Sequence, residues 1–274
     1  MPEANRQGAT GFQIAFLVVA LLLLSAPADK YLFDQWQWAR NLGFPLGRLM
    51  IFVSAGCVLF GFPALRRTCL GLLSVPIPSA KAPEIAGVLL LHLVTGFAAA
   101  GVVALWTWNS GGEPALARVL GSQDTPATQL SHALSLRGIT TSFLIGGLIA
   151  PVIEELAFRG LLYPTWAAQW GWVRSALATS ALFAVLHPNM YSQFMGSLLY
   201  ICLFRRTGSL RASIVIHAAF NMLMWYPLIG QFLFPSGGGS STGEISYWTL
   251  QIACLAIALV ALPAYMWMAR DTRK

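Results

Sequence analysis

Charge is what this sequence has least of. Only 10% of its 274 residues are charged, whereas 57% are hydrophobic, and the mean hydropathy is +0.65. A soluble domain has roughly 25% charged residues, so this chain has too few polar side chains to cover a soluble globule. The composition excludes soluble enzymes, coiled coils and disordered tails, and it predicts an integral membrane protein.

Cysteine is also sparse, and no C-x-x-C pair occurs, which argues against a zinc cluster or a disulfide framework. The net charge of +7 does not form a basic stripe. Its arginines and lysines flank apolar runs, which is typical of topology signals rather than of a nucleic-acid surface. No repeat and no separate soluble domain is evident, so residues 1–274 are predicted to be a single membrane domain. The four cysteines are Cys57, Cys69, Cys202 and Cys254.

Long apolar runs dominate what is present. A helix needs about 20 apolar residues to cross the hydrocarbon core of a bilayer. With that measure the sequence predicts an all-α, polytopic helical bundle of about eight spans. The predicted spans are 12–28, 46–65, 84–108, 137–163, 173–188, 193–205, 211–229 and 247–269.

The basic residues between these spans indicate the topology. Eleven of them fall on one side and five on the other, and the richer side is expected to be cytoplasmic, with both termini. Arg159 is left over because it lies inside a span. The richer side comprises Arg6, Arg66, Arg67, Lys81, Arg174, Arg205, Arg206, Arg211, Arg270, Arg273 and Lys274, and the poorer side Lys30, Arg40, Arg48, Arg118 and Arg137.

The first span resembles a signal peptide, because the run from Phe12 to Leu24 is followed by Ala26-Pro27-Ala28. Its positive region is weak, since Glu3 offsets Arg6. We therefore expect residues 1–28 to be retained, with residues 12–28 as a true span.

Ionisable residues inside a span cost at least about 2.5–3.5 kcal/mol each, so those that occur there mostly have a task. The fourth span contains Glu154, Glu155 and Arg159. Glu155 and Arg159 are i and i+4, so they share a helix face and can form an ion pair. Glu154 points about 100° away from Glu155 and has no local partner. An unpaired carboxylate in an apolar setting suits a general base acting on water.

His187 lies at the end of the fifth predicted span, and His217 lies inside the seventh. His217 and Asn221 are i and i+4, so both side chains project toward one point. Histidine can share in the proton transfer. An amide and an imidazole N–H can both donate to the oxyanion of a tetrahedral intermediate. Together these residues predict a hydrolase that activates water against an amide bond.

Three ordered motifs on successive spans resemble a known family. They are EExxxR at Glu154–Arg159, FxxxH at Phe183–His187 and HxxxN at His217–Asn221. They are similar to the signature motifs of the CAAX-protease and bacteriocin-processing family of intramembrane proteases, also called the Abi or Rce1-like family. The stretch Phe204–Leu210 before the third motif resembles that family too. The likeness covers about residues 137–225, and the other spans match by hydropathy alone.

The resemblance implies a role for each residue. Glu154 would activate the water, with His187 beside it. His217 and Asn221 would bind the water or the oxyanion, and the Glu155–Arg159 pair would hold the site in shape. The substrate would be a membrane-anchored protein or peptide, as is a prenylated CAAX tail for the eukaryotic members. Short loops favour a bacterial inner membrane as the location.

A metal is a further question, because the family was first described as metalloproteases. This sequence lacks HExxH, and His187 with His217 would supply only two nitrogen ligands beside a carboxylate. We therefore expect a glutamate mechanism with no cofactor, although a divalent metal such as zinc is not excluded by the residues. His92 in the third span and His132 in a loop match no motif and are taken as structural.

Two other functions fit a polar bundle of this kind. One is a non-proteolytic scaffold or bacteriocin-immunity protein, which would not require Glu154. The other is a proton-relaying transporter, which would be expected to show internal repeats.

One geometric difficulty remains for the protease: His187 ends an outward-running span and so would lie deeper than Glu154. Either the fifth span begins below the surface or the linker 164–172 is re-entrant.

Overall fold

The computed structural model describes residues 19–20, 46–121, 141–187, 190–224 and 241–270. Most residues in those ranges are helical, and none of them lies in a β-strand. The predicted all-α membrane bundle is thereby confirmed. Two helices, Ser79–Gly112 and Thr249–Met268, are long and apolar enough to cross a membrane. They coincide with the predicted spans 84–108 and 247–269.

The α-helices are numbered here in chain order. Short connections and two π-helical segments, Thr141–Ile149 and Leu156–Leu162, link some of them. A kink at Gly112 divides α3. The α-helices are α1 (Leu46–Gly61), α2 (Pro63–Ser74), α3 (Ala82–Gly121), α4 (Ala150–Glu155), α5 (Tyr163–Trp170), α6 (Trp172–Val185), α7 (Met190–Thr207), α8 (Leu210–Met224) and α9 (Ser241–Met268).

The predicted span 46–65 has a different form in the structure. Met50–Gly61 and Pro63–Ser74 are apolar enough to cross only as a pair, and the pair bends by 100°. Pro63 begins the second helix, where its missing N–H is tolerated. The helices Trp172–Val185 and Leu210–Leu223 are apolar but shorter than a full span. Most of the predicted span 12–28 lies outside the described residues, so the number of eight spans stays a prediction.

Prolines explain the π-helical segments of the run 141–170. Pro151 and Pro164 each lie in the first turn of an α-helix that directly follows a π-helical segment. A proline has no N–H to donate, and its ring collides with the carbonyl four residues earlier. Widening the preceding turn to i→i+5 relieves that collision. The carboxylates Glu154 and Glu155 end α4, the short α-helix between the two widened segments.

Gly171 forms the turn that brings the first two motifs together. Its backbone angles, φ 77 and ψ 163, are open to glycine almost alone. Residues 164–170 before it are helical, so the predicted linker 164–172 is for the most part the helix α5. Glu154 lies seventeen residues before Gly171 and His187 sixteen residues after it. The antiparallel hairpin therefore brings the two side chains to one level, which removes the difficulty over depth.

One end of the bundle is held by arginines. Glu84 at the start of α3 accepts hydrogen bonds from Arg206, at the end of α7, and from Tyr265 on α9. Arg205 donates from Nε to the carbonyl of Ala269, 3.0 Å away, at the end of α9. These bonds join α3, α7 and α9, and they gather basic residues that the sequence predicts to share one side of the membrane.

We expect Gly171→Ala to lower the free energy of unfolding by about 1–3 kcal/mol, because alanine is strained at this backbone conformation. Thermal unfolding in detergent measures it. Gly87→Ala is the matched control, since Gly87 lies in α3 with open space around its Cα. There alanine should be neutral or stabilising. Equal destabilisation by both substitutions would contradict a special requirement at the hairpin turn.

Candidate active site

The three motifs meet inside the bundle. Glu155 and Arg159 are fully buried, His217 is 1% exposed and Glu154 is 8% exposed. The full burial of Glu155 and Arg159 means that their charges must be compensated by neighbours, because bulk water does not reach them.

Glu155 has two buried partners on the same oxygen. Its Oε1 lies 2.9 Å from Nη1 of Arg159, so the ion pair predicted from helical spacing forms. The same Oε1 accepts a hydrogen bond of 2.9 Å from Nδ1 of His217. One carboxylate thus joins the EExxxR helix to α8.

Arg159 is surrounded by aromatic rings on its other sides. Its guanidinium carbon lies 4.4 Å from the ring centre of Phe183 and 5.1 Å from that of Tyr200. A guanidinium over a ring face gains electrostatic attraction in a dry setting. The ring faces of α6 and α7 therefore help Glu155 to stabilise a positive charge that lies wholly inside the protein.

Glu154 faces both histidines. Its Oε2 lies 3.6 Å from Nε2 of His217 and 3.9 Å from Nε2 of His187. Both separations exceed direct hydrogen-bond distance but are short enough for one water to lie among the three atoms and donate to two of them. The pocket is partly open, since the side chain of His187 is 21% exposed and that of Glu154 is 10% exposed.

The remaining nitrogen of each histidine is held by an acceptor. Nδ1 of His187 lies 2.8 Å from the carbonyl oxygen of Phe183, and Nδ1 of His217 faces Glu155. Neither acceptor can donate, so the bonds assign the proton to Nδ1 in both rings. Each neutral ring then presents the lone pair of Nε2 to Glu154. A molecule bound between these atoms would therefore face the carboxylate of Glu154 and two nitrogen atoms that accept hydrogen bonds.

The side-chain amide of Asn221 has a backbone partner beside this pocket. Its Nδ2 donates to the carbonyl of Gly146, 2.9 Å away, in the first π-helical segment. In an i→i+5 pattern that carbonyl would face residue 151, and Pro151 has no N–H. Asn221 thus satisfies a carbonyl that the proline leaves open. Its carbonyl oxygen and second amide hydrogen remain for other contacts.

The structure therefore brings together five of the six predicted residues, and it ties Asn221 to an adjacent backbone segment. Within the described ranges, no group of three or more His, Cys, Asp or Glu side chains forms a metal site. Glu154, His187 and His217 are the side chains that converge, so any metal would have to use them.

Two neighbours of the site are not indicated by the motifs. Tyr200 stacks on His217, and His92 is hydrogen-bonded to Tyr200. The only feature of the sequence that draws attention to His92 is that it is an ionisable residue inside a predicted span. Tyr200 has no such signal, since a tyrosine in an apolar helix is common.

A comparison with protein-family models matches residues 137–223 to the family described as type II CAAX prenyl endopeptidase, Rce1-like. The matched segment is about a third of the chain and includes all three motifs. Comparison with curated proteins and with solved structures gave no match.

We expect Glu155→Gln to reduce the free energy of unfolding by about 3–5 kcal/mol, because it leaves the buried guanidinium of Arg159 without its counter-charge. Adding Arg159→Met should recover part of the loss, since methionine packs well among aromatic rings. Chemical denaturation in detergent measures both variants.

Glu154→Gln is the matched control for that measurement, because Glu154 has no ion pair as close as the Glu155–Arg159 contact. It should stay near wild-type stability. A double variant less stable than Glu155→Gln alone would contradict the view that the unpaired arginine causes the loss.

Proposed function

Since residues 137–223 are an Rce1-like domain in an integral membrane protein, we propose that this chain is an intramembrane endopeptidase. At the level of the family, the match supports a CAAX-type intramembrane protease. The finer proposal is that Glu154 activates water for hydrolysis of a peptide bond in a membrane-associated protein or peptide. The bacterial inner membrane, with both termini cytoplasmic, is the proposed location.

The observation that supports the chemistry best is the position of the Glu154 carboxylate. It is the carboxylate of the EExxxR motif that has no ion pair with Arg159, and it faces two Nε2 atoms at 3.6 and 3.9 Å. A carboxylate engaged with an arginine is a poor base, whereas one facing acceptor nitrogens can hold a water and take its proton. The partial exposure of His187 and Glu154 gives that water a route inward.

The reaction balances without a further reactant. Glu154 takes a proton from the water, and the hydroxyl oxygen adds to the carbonyl carbon of the scissile peptide. The tetrahedral intermediate then collapses with cleavage of the C–N bond. Glu154 returns its proton to the leaving nitrogen, so the products are a carboxylic acid and an amine. His187, beside the same water, can orient it or share the proton.

His217 has a second role in this scheme. Glu155 holds its Nδ1–H, which is the arrangement by which a carboxylate stabilises an imidazolium ion. Glu154 can pass the proton that it took from the water to Nε2 of His217, 3.6 Å away; the ring then donates to the oxyanion and gives the proton back for transfer to the leaving nitrogen. The second amide hydrogen of Asn221 is the other proposed donor. Glu155 and Arg159 act through His217 and do not touch the substrate.

The mechanism is proposed without a metal. The sequence offers no HExxH, and the described residues include no group of three or more His, Cys, Asp or Glu side chains that could hold a metal ion. The bound water would be activated by Glu154 itself.

We predict that Glu154→Gln removes a cleavage product from cells. Losing a general base lowers rates by about 10²–10⁴-fold, so the fragment should fall below detection while the variant still folds and inserts. Proteomic comparison of membrane peptides between wild type, Glu154→Gln and His217→Ala would measure this and would identify the substrate.

His132→Ala is the control for that comparison, because His132 belongs to none of the three motifs. It should give the wild-type fragment. If all strains give the same peptides while a deletion strain still has a phenotype, the protease proposal is wrong. A scaffold or immunity protein would then be the better account.

We also predict that EDTA leaves the cleavage rate of the detergent-purified protein unchanged, because Glu154 needs no Lewis acid to take a proton from water. The rate is measured on the fragment's parent peptide with and without EDTA. Loss of activity that zinc restores would contradict the glutamate mechanism and would leave the protease assignment standing.

A further inference from the structure

His92 is a buried ionisable residue that the proposed mechanism does not use. It lies in α3, outside the Rce1-like segment, and its side chain has no exposure. Its Nδ1 is hydrogen-bonded to the hydroxyl of Tyr200 on α7 at 3.0 Å. Its ring stacks on Phe220 of α8, with centroids 3.5 Å apart and an interplanar angle of 14°. The side chain of His92 on α3 thus contacts both α7 and α8, and α8 is the helix that carries His217.

Tyr200 stands between His92 and the active site. Its ring stacks on His217 with centroids 5.0 Å apart and an interplanar angle of 27°. The same ring lies 5.1 Å from the guanidinium carbon of Arg159. The backbone carbonyl of Tyr200 also accepts a 3.0 Å hydrogen bond from Ser213 on α8. The phenol ring of Tyr200 therefore packs against the imidazole of His217 and supports it.

Helices α3 and α7 approach each other closely at this contact. Gly196, one turn before Tyr200, has no side chain, and a Cβ there would collide with the imidazole of His92. Phe220 follows His217 by three residues, so His92 packs on the same helix that presents the histidine. A glycine, a stacked ring and a hydrogen bond together fix where the His92 ring lies.

From this geometry we propose that His92 and Tyr200 are positioning residues for His217. Their hydrogen bond fixes the Tyr200 ring, and the ring in turn holds the imidazole with Nδ1 on Glu155 and Nε2 facing Glu154. This inference rests on the proposed function only for its effect on rate. The effect on the ring of His217 is independent of any substrate.

Loss of the hydrogen bond between His92 and Tyr200 should affect the orientation of the His217 ring more than it affects the binding of a peptide. Tyr200→Phe keeps the ring that stacks on His217 and Arg159 but removes the hydroxyl. His92→Phe keeps a ring to stack on Phe220 but removes the nitrogen. Either variant lets the ring of residue 200 move, so the reacting geometry loosens while the peptide-binding surface is unchanged. The expected result is a lower kcat with an unchanged KM.

The test combines kinetics with a spectroscopic measurement. We expect Tyr200→Phe and His92→Phe each to reduce kcat by about three- to tenfold, which corresponds to one buried hydrogen bond. The double variant should lose no more than either single variant, because all three lack the same bond. Nuclear magnetic resonance of histidine-labelled protein in detergent should show His217 as one Nδ1–H form in the wild type. In the variants that signal should broaden or shift.

Tyr265→Phe is the matched control. It also removes a 3.0 Å hydrogen bond between a tyrosine and a side chain of α3, here Glu84, but it lies in the arginine-held end of the bundle. It should leave kcat and the His217 signal as in the wild type. His92→Gln, which can still hydrogen-bond Tyr200, should restore part of the activity lost in His92→Phe.

The outcomes separate the two proposals. If Tyr200→Phe and His92→Phe leave kcat and the His217 signal unchanged, the positioning role is wrong, even when Glu154→Gln abolishes cleavage. If no peptide is cleaved by the wild type, the protease proposal fails, yet a shifted His217 signal in both variants would still support the positioning role.

Discussion

The buried carboxylate of Glu155 is the contact on which the rest of the site depends. An arginine without exposure is tolerated only with a counter-charge, and Glu155 provides it one helical turn away. The same oxygen holds Nδ1 of His217, so one interaction neutralises the charge and orients the ring. Because Glu155 is committed to these partners, Glu154 is the carboxylate of the pair that we propose as the base. Two adjacent glutamates thus receive different environments from a rotation of about 100° along the helix.

Backbone geometry decides whether those side chains meet. The hairpin at Gly171 sets Glu154 and His187 at nearly equal distances from the turn, seventeen and sixteen residues away, and a shift of one helix by a single residue would move one side chain by about 1.5 Å along the axis. Pro151 and Pro164 widen the helix on either side of the two glutamates, and Asn221 donates to the carbonyl that the first proline leaves open. Strained or irregular backbone is concentrated where the chemistry is proposed, as is common at functional sites.

How much could be predicted from the sequence differs between local and long-range features. The Glu155–Arg159 pair follows from i, i+4 spacing, and the helical bundle follows from composition. The level of His187 could not be predicted, because the predicted spans 137–163 and 173–188 leave residues 164–172 as a linker, whereas Tyr163–Trp170 is a helix. Asn221 was expected to point with His217. Its amide instead donates to the carbonyl of Gly146, which Pro151 leaves without a donor. The residue spacing around Asn221 gives no indication of that contact.

His92 shows the same limit from the other direction. Its position inside a span indicated only that it needs a partner, and its partner lies more than a hundred residues away on α7. The motifs describe the groups that face the pocket, whereas the ring that supports His217 is held from α3, beyond the matched segment. Buried polar groups have little access to water and are held by protein groups instead, as Nδ1 of His217 is by Glu155 and Nδ1 of His187 by the carbonyl of Phe183. The spans outside the family-like segment are therefore part of the active site's construction, and transplanting residues 137–223 alone would leave His217 without the support of α3.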